Sequence, residues 1–328
     1  MIHYDIIGDL HGHYDELKAL LVSMGYLQKE GVFQHPERTA LFLGDFIDKG
    51  KQQRQVINTV RAMVDGCHAI AVMGNHEYNA VSLALTDAQG APLRPHSTKN
   101  MKMHAAFHDA YPNNEERDEV AQWFKGLPVF LDLDQFRVVH AFWDDNALDT
   151  LKPYLNDNNS LTDEGYELAN QKGHKVYKAV ELVLKGPKAK LPKKLYFKDI
   201  YEIKRKKARV NWWVAPQNSL ISRLQMGTKT ADVKQLDKIK SIKSYAYGEA
   251  EKPLFFGHYR MKVSHPSIIS HNLACLDLGV TCNKGGKLAC YQWTFDHGVH
   301  LDNEQLTWVD KKPAKNKSKP VPLLSFGT

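Results

Sequence analysis

The sequence predicts an α/β fold, for three reasons. Apolar segments typical of strands alternate with segments of helical periodicity through the first third of the chain. Such alternation favours a layered sheet flanked by helices. Each of the first three predicted strands also runs directly into a glycine and then a metal-ligating side chain. Because ligand sites in layered α/β folds gather at the carboxyl ends of strands, we expect these three loops to converge on one site.

The first elements are predicted in the order strand, helix, strand, helix, strand. The opening strand is predicted over 4–7, and leucine and methionine at helical spacing over 17–24 predict the helix that follows. A second strand is predicted over 39–43, a helix over 52–64 and a third strand over 68–73. This alternation indicates an α/β layer arrangement.

The pattern becomes less regular after the third strand. We expect a loop and a helix over 87–112 and a further helix over 114–125. Segment 144–252 is polar, partly helical and partly basic. The remaining predicted strands are short apolar runs on either side of that segment, at 129–131, 136–140, 253–258, 268–278 and 287–295.

The composition excludes two classes of protein. Apolar residues are 43% of the 328 positions and charged residues 25%, so the chain can bury a core and is not disordered throughout. No run approaches the roughly 18 apolar residues of a membrane span, and we expect no membrane contact. The N-terminal residues lack a secretory signal and the four cysteines form no C-x-x-C pair. We therefore expect reduced thiols in a cytoplasmic protein.

The positive charge of the chain is concentrated in one segment. The formal net charge is +7, whereas segment 185–209 alone has eleven lysines or arginines and two acids, or 11 − 2 = +9. A basic patch of this kind attracts phosphate-rich partners such as nucleic acid. The alternative is a solvated surface insertion with no partner.

Six side chains close to predicted strand ends form a candidate metal site. Carboxylate, amide and imidazole ligands suit Mn, Fe or Zn better than Ca or Mg alone. Six ligands exceed what one tetrahedral ion needs, and two ions that share Asp45, in the middle loop, account for the number. The six residues are Asp9, His11, Asp45, Asn75, His140 and His258.

Two further residues are predicted to manage a proton. Two divalent ions about 3.5–4 Å apart are a device for phosphoester hydrolysis, since they acidify water and stabilise charge on the phosphoryl group. The leaving alkoxide or phenoxide still needs a proton, and His76, beside Asn75, is the predicted general acid. Asp48, three residues after Asp45, is predicted to orient the His76 ring.

Five short motifs resemble those of one enzyme family. GDLHG at 8–12, GDFIDKG at 44–50 and GNHE at 74–77 resemble the GDxHG, GDxxDRG and GNHE motifs of calcineurin-like metallophosphoesterases. VVH at 138–140 and FGH at 256–258 resemble the two later histidine motifs of that family. Within the family, the chain resembles the phosphoprotein phosphatase branch and its bacterial relatives, which include diadenosine-polyphosphate hydrolases.

The resemblance implies an architecture. It consists of two stacked mixed β-sheets flanked by helices, with an inserted cap near the substrate. We therefore predict that 1–143 is the N-terminal half of the core, 144–252 the basic cap or arm, 253–309 the C-terminal half and 310–328 a flexible tail.

The resemblance also implies residue roles and a cofactor. Two divalent ions are expected, manganese first and iron or zinc as alternatives, with a metal-bound hydroxide as the nucleophile. The implied ligands of the first ion are Asp9, His11 and Asp45, those of the second are Asp45, Asn75, His140 and His258, and the proton-donating pair is Asp48 and His76.

One departure from the family motifs concerns the substrate phosphate. Lys49 replaces the arginine of GDxxDRG, which in this family grips the phosphate, and a lysine is a point charge without bidentate geometry. An arginine from the insertion is expected to compensate. Among Arg205, Arg209 and Arg223, we expect Arg223 to bind the substrate phosphate.

Three functions remain open at this point. The first is hydrolysis of phosphomonoesters on serine, threonine or tyrosine of a phosphoprotein. The alternative is hydrolysis of a nucleotide, a dinucleoside polyphosphate or a nucleic-acid end, which the basic segment favours. A third is a non-catalytic protein that binds nucleic acid through segment 185–209, although the intact set of ligand-type residues opposes it.

Overall fold

The structure is a computed structural model that describes residues 3–192, 195–198, 204–215, 217–226, 229–231, 243–261, 264–298 and 300–312. Most of the predicted tail lies outside these ranges. Within them, no helix has the length and apolar character that a membrane crossing requires. The four cysteines are unpaired, in agreement with the expected reduced thiols.

The strands are short, and most have three to five residues. They are β1 His3–Ile7, β2 Leu27–Lys29, β3 Val32–Gln34, β4 Arg38–Phe42, β5 Ala69–Ala71, β6 Phe130–Asp132, β7 Arg137–Val139, β8 Lys188–Lys190, β9 Tyr196–Lys198, β10 Lys204–Arg205, β11 Lys207–Val210, β12 Leu224–Gln225, β13 Lys229–Ala231, β14 Leu254–Phe256, β15 Leu273–Cys275, β16 Lys287–Trp293 and β17 Leu306–Asp310.

The α-helices lie between the strands of the first half of the chain and within segment 144–252. They are α1 Tyr14–Ser23, α2 Gln53–Asp65, α3 Asn75–Ala84, α4 Thr98–Met103, α5 Ala105–Ala110, α6 Asn114–Lys125, α7 Asp145–Leu151, α8 Asp163–Asn170, α9 Lys175–Lys185 and α10 Leu220–Arg223.

Two mixed sheets carry the fold. The first has the strand order β17-β16-β1-β4-β5, in which β1, β4 and β5 are parallel and β16 runs antiparallel to β1. The second has the order β15-β14-β7-β6, in which β15, β14 and β7 are parallel. The carboxyl ends of six strands, three parallel in each sheet, are therefore available to form a site.

The two sheets stack through an aromatic layer. The ring of Phe136 lies 5.5 Å from that of Phe255 in the second sheet and 5.0 Å from that of Trp293 in the first. Phe255 also packs 5.0 Å from Tyr291. Edge-to-face and tilted ring pairs of this kind add to the free energy of apolar burial. The layer fixes the position of one sheet, and of its loops, against the other.

Helices cover the outer faces of both sheets. The helix α1 contacts β16 and β17, and α2 contacts β3 and β5. Behind the second sheet, the carbonyl of Val183 on α9 accepts hydrogen bonds from the N–H groups of Ala141 and Phe142. The first part of segment 144–252 thus packs on the main core, and the domain division drawn from the resemblance stays a prediction.

The α/β fold class and the two stacked mixed sheets are confirmed. The helix predicted over 114–125 has the bounds of α6. The strand predicted over 253–258 is shorter, Leu254–Phe256, because Gly257 and His258 leave the ladder. His258, which follows the strand, is also a candidate ligand, and its backbone φ is +62°.

Candidate metal centre

The six predicted ligands converge at the carboxyl ends of strands from both sheets. Three ligand-bearing loops follow β1, β4 and β5, and two more follow β7 and β14. All six side chains are at least nine-tenths buried. The residues brought together are Asp9, His11, Asp45, Asn75, His140 and His258.

The backbone of these loops is strained. Among the described residues, eight non-glycine residues have positive φ, and five of them belong to the centre or adjoin it. L-amino acids rarely adopt this conformation, and it persists where surrounding structure imposes it. The five are His11 (+44°), Asp45 (+54°), Asp48 (+69°), Lys49 (+67°) and His258 (+62°).

Asp45 occupies the middle of the cluster. Its Oδ2 lies 3.4 Å from Nε2 of His11 and 3.8 Å from Nε2 of His76. Its Oδ1 lies 3.3 Å from Nε2 of His140. Two of the groups with ligand atoms within 4.8 Å of one another share this carboxylate, one with His11 and His76 and the other with His140 and His258. One oxygen therefore faces each group, the placement that a bridging ligand requires.

Hydrogen bonds fix the orientation of two of the imidazoles. Nδ1 of His11 lies 2.8 Å from the carbonyl oxygen of Ile47, and Nδ1 of His140 lies 2.7 Å from that of Leu43. Donation from Nδ1 leaves Nε2 with a lone pair directed at the centre, which is the usual arrangement of metal-ligating histidine.

Several polar atoms of the centre suit a cation. Oδ1 of Asn75 and Nε2 of both His140 and His258 are buried and have no partner in hydrogen-bond geometry among the described residues. Buried polar atoms normally have a partner, and each exception calls for a reason. The donor set of oxygen and imidazole nitrogen fits a divalent ion of the Mn, Fe or Zn type.

The pKa values at the centre follow from burial and neighbouring charge. Burial lowers the pKa values of His11 and His258. Burial alone would raise the pKa of Asp45, but the imidazoles of His140 and His76 outweigh it and hold the pKa well below its ordinary value. Asp45 is therefore an anion surrounded by imidazoles.

Asp9 is held by the loop that follows β14. Both of its carboxylate oxygens accept from the N–H of His258, at 3.2 Å each. Burial, and then the charge of Asp277, raise the pKa of Asp9 well above its ordinary value. A Cβ added at Gly257 would lie 2.0 Å from Oδ1 of Asp9, so only glycine allows this approach.

Glu77 braces two of the loops, a role that the sequence analysis missed. Its fully buried carboxylate accepts from the N–H groups of Asp45 (2.7 Å), Phe46 (2.8 Å) and Gly74 (3.1 Å). Burial, and then Asp45, raise the pKa of Glu77 to about 8. The last letter of the GNHE motif was the available signal, because a glutamate three residues into a helix can accept from loop N–H groups.

His76 and Asp48, the two residues predicted to manage a proton, are in contact. Nδ1 of His76 lies 2.5 Å from Oδ2 of Asp48, and both side chains are buried. The N–H of Asp48 donates to Gln53 Oε1 at 2.7 Å. With Nδ1 engaged, Nε2 of His76 is the nitrogen that faces Asp45 and the centre.

The two predicted phosphate-binding residues differ in placement. Nζ of Lys49 lies 2.5 Å from Nε2 of His11, at the centre. Arg223 is buried at the end of α10, and its carbonyl accepts from the N–H of Asn211. The described contacts at the centre instead include Arg209 on β11, whose Nη1 donates to the carbonyl of His258 at 3.1 Å.

The carboxylates of the centre act on Arg209. Burial lowers the pKa of its guanidinium, while Tyr259 and then the carboxylates of Asp277, Asp45 and Asp9 act in the opposite direction. The sequence offered only a weak signal for it, since Arg209 is one of eleven cations in a basic segment.

In the described part of the basic segment, Lys185 and Lys188 form defined ion pairs, unlike the free cations of a solvated surface. Lys185 and Lys188 both contact the carboxylate of Glu181, Lys188 at 3.0 Å. Lys188 also lies directly opposite Arg209 in the antiparallel pair of β8 and β11. Trp212 is buried in the core and donates to the carbonyl of Ala141 at 3.2 Å.

Part of the chain is similar to curated proteins. A bis(5'-nucleosyl)-tetraphosphatase (asymmetrical) of Geobacillus thermodenitrificans is 33% identical over 144 residues, or 43% of this chain and 56% of that protein. One of the same description from Halalkalibacterium halodurans is 45% identical over 76 residues, or 23% of this chain and 31% of that protein. At best, then, the chain spans about half the length of these curated relatives.

Among solved structures, a protein serine/threonine phosphatase from Saccharomyces cerevisiae is similar with a TM-score of 0.48 and 14% identity, over 94% of this chain and 79% of that one. The family described as calcineurin-like phosphoesterase matches residues 2–213, which is more than half of the sequence. That range contains four of the five motifs and β1, β4, β5 and β7 with their ligand loops. The chain belongs to the calcineurin-like phosphoesterase family.

Proposed function

We propose that the chain is a phosphoric ester hydrolase that uses two divalent metal ions. The observation that carries this proposal is the position of the Asp45 carboxylate, with His11 on the side of one oxygen and His140 on the side of the other. A carboxylate between two imidazole groups is what a shared ligand of two ions needs, and paired ions are the means by which many phosphoesterases work.

The ligand roles inferred from the sequence are kept in this proposal. Asp9, His11 and Asp45 would hold one ion, while Asp45, Asn75, His140 and His258 would hold the other. Manganese remains the first choice and iron or zinc the alternatives, since the mixed carboxylate, amide and imidazole set suits all three. When bound, such ions supply Lewis acidity that polarises phosphoryl oxygens and acidifies water.

His76 would hold the proton that the leaving group takes. Its Nδ1 is engaged by Asp48 at 2.5 Å, so a proton at Nε2 is directed towards the centre. Proton donation matters most when the leaving group is a poor one, such as an alkoxide.

Arg209 and Lys49 would bind the phosphoryl group. Arg209 reaches the centre from β11 and its fork provides further N–H donors beyond the one given to His258. Lys49 is exposed at the mouth of the centre while its Nζ contacts His11. We therefore place Arg209, rather than Arg223, in the role that the departure at Lys49 leaves open.

We place the dinucleoside polyphosphate first among the substrates, ahead of the phosphoprotein that the sequence analysis favoured. Two observations support this order. Curated relatives of part of this chain are named bis(5'-nucleosyl)-tetraphosphatases. Lys188, which pairs with Glu181, lies opposite Arg209 across the strand pair, so a second cation lies next to the one proposed to bind phosphate.

A substrate panel tests the proposal. The full chain would be treated with chelator, reloaded with Mn²⁺ and offered diadenosine tetraphosphate, phosphoserine and phosphotyrosine peptides, p-nitrophenyl phosphate and a 5'-phosphorylated oligonucleotide. We expect metal-dependent cleavage of diadenosine tetraphosphate, with the products identified by chromatography. Turnover of peptides alone would assign the enzyme to phosphoproteins instead.

Two further outcomes would contradict the proposal. Cleavage that survives complete chelation would reject the metal-dependent mechanism. Salt-dependent binding of the oligonucleotide by metal-loaded protein, without turnover of any substrate, would favour the non-catalytic alternative. Binding of nucleic acid through segment 185–209 otherwise stays a prediction without support from the relatives.

A further inference from the structure

His104 lies beside the predicted proton-donating pair, although no motif marks it. It stands at the junction of α4 and α5, where it ends one helix and begins the other. Its N–H donates to the carbonyl of Met101 and its own carbonyl accepts from the N–H of His108. The side chain is fully buried. A buried imidazole without a motif would ordinarily be a packing residue, so its contacts decide its role.

The contact that matters is with Asp48. Nδ1 of His104 lies 2.8 Å from Oδ2 of Asp48, the same oxygen that lies 2.5 Å from Nδ1 of His76. The rings of His76 and His104 are 5.9 Å apart and inclined by 68°. One carboxylate oxygen therefore faces two imidazoles, in a site where all three side chains are buried.

The polar atoms around this contact show that it is not ordinary side-chain packing. Both ring nitrogens of His104 and Oδ1 of Asp48 are buried with no partner in hydrogen-bond geometry among the described residues, so the 2.8 Å approach of Nδ1 to Asp48 is a close polar contact and not an aligned hydrogen bond. Buried polar atoms without a partner destabilise a fold unless they serve another purpose. Burial alone would raise the pKa of Asp48, but His104 and then His76 hold it below its ordinary value. His104 is thus the larger of the two influences that keep the carboxylate ionised.

We propose that His104 is a positioning residue, which holds the Asp48 carboxylate so that His76 keeps its ring aimed at the leaving group. A carboxylate contacted only by His76 is free to rotate with it. A second contact on the same oxygen, from a residue anchored between two helices, fixes the carboxylate independently of His76. This inference rests on the proposed role of His76 as proton donor.

The test compares leaving groups on the Mn²⁺-loaded full chain. Phenyl phosphate requires protonation of its leaving group and p-nitrophenyl phosphate barely does. We expect His104→Leu, which keeps the volume and removes the contact, to lower kcat for phenyl phosphate by about 10–100-fold, as second contacts of site residues do. The loss for p-nitrophenyl phosphate should be several-fold smaller. His104→Asn, whose amide nitrogen can stand near the position of Nδ1, should recover most of the activity.

Matched variants separate the explanations. His108→Asn, one turn further on α5, should leave both substrates nearly unaffected. Metal content, measured by mass spectrometry, should be unchanged in the His104 variants, although Asp48, His76 and His104 have ligand atoms within 4.8 Å of one another. A fall in bound metal, equal losses on both substrates, or no loss at all would each overturn the inference.

The reference variant distinguishes this inference from the proposed function. His76→Asn should also hurt phenyl phosphate more than p-nitrophenyl phosphate. If His76→Asn shows that difference and His104→Leu does not, only the inference about His104 fails. If His76→Asn affects both substrates equally, the proton-donor role itself fails and His104 has nothing to position.

Discussion

The strand-end loops and the basic insertion both contribute to the candidate site, by opposite means. The loops after β1, β4, β5, β7 and β14 supply ligands through strained backbone and close glycine contacts, as at His258 and Gly257. The insertion supplies Arg209 through one strand of a small antiparallel sheet and a hydrogen bond to a carbonyl. Backbone strain leaves little tolerance for change, whereas a long cationic side chain on an outer sheet can be altered without disturbing the core.

The largest expected effect lies in the loops. Asp45→Asn keeps the shape of the side chain but removes the charge that lies between His11 and His140. We expect turnover of every substrate to fall by about 10³-fold or more, because the anion is proposed to hold both ions. Steady-state kinetics and metal analysis on the same preparation would check this.

A parallel loss of metal is part of that expectation. The Asn variant should retain less metal than the unaltered chain at equal Mn²⁺ concentration, while its circular dichroism spectrum stays the same. Activity near that of the unaltered chain would end the two-ion assignment, and with it the claim that the loops are the less tolerant region.

The loops are also the region that sequence reasoning predicted best. The motifs around Asp9, Asp45 and Asn75 follow apolar strands directly, and parallel strands must bring such loops to one edge. His140 and His258 were found in the same way. Their convergence from two different sheets could not be derived from periodicity, and it entered only through the family resemblance.

One physical reason explains why sequence reasoning missed His104 and ranked Arg209 below Arg223. His104 reaches Asp48 from a junction between two short helices, and Arg209 reaches His258 from a strand 49 residues away in sequence. Contacts of that kind depend on how elements pack, and neither hydrophobic period nor local spacing encodes them. The left-handed backbone of Asp48 is likewise imposed by tertiary structure.

An intermediate effect is expected from the insertion. Arg209→Lys keeps the charge but loses the planar fork, so kcat/KM should fall by about 10–100-fold, which corresponds to one or two strong hydrogen bonds to phosphate. Metal content and stability should hardly change. The kinetic measurement is made with diadenosine tetraphosphate and p-nitrophenyl phosphate.

Arg223→Lys is the matched control for that substitution. Arg223 is the arginine that the sequence analysis favoured, and it lies one residue before β12, the strand that neighbours β11. We expect a smaller kinetic change from Arg223→Lys than from Arg209→Lys. The reverse order would return the phosphate-binding role to Arg223 and remove Arg209 from the site.

The smallest effect concerns stability at the base of the insertion. Burial alone would raise the pKa of Glu181, but Lys185 and Lys188 outweigh it and lower the pKa to about 2, below the ordinary 4.5. A carboxyl whose pKa is lower in the folded state stabilises the fold above its unfolded pKa, and that contribution is lost as the pH falls. Glu181→Gln should therefore reduce the free energy of unfolding at pH 7 by about 1–3 kcal/mol.

The pH dependence of the unfolding free energy is the sharpest test of this last prediction. The difference between Glu181→Gln and the unaltered chain should shrink as the pH falls from about 4.5 towards 2, the window between the two pKa values. Glu116→Gln removes an exposed pair with Arg54 and should cost no more than about 1 kcal/mol at pH 7. Urea unfolding at pH 7 and at pH 3.5 measures all three proteins. If Glu181→Gln lowered the free energy of unfolding no more than Glu116→Gln does, apolar contacts alone would hold the insertion. Lys185 and Lys188 would then be available to bind the substrate.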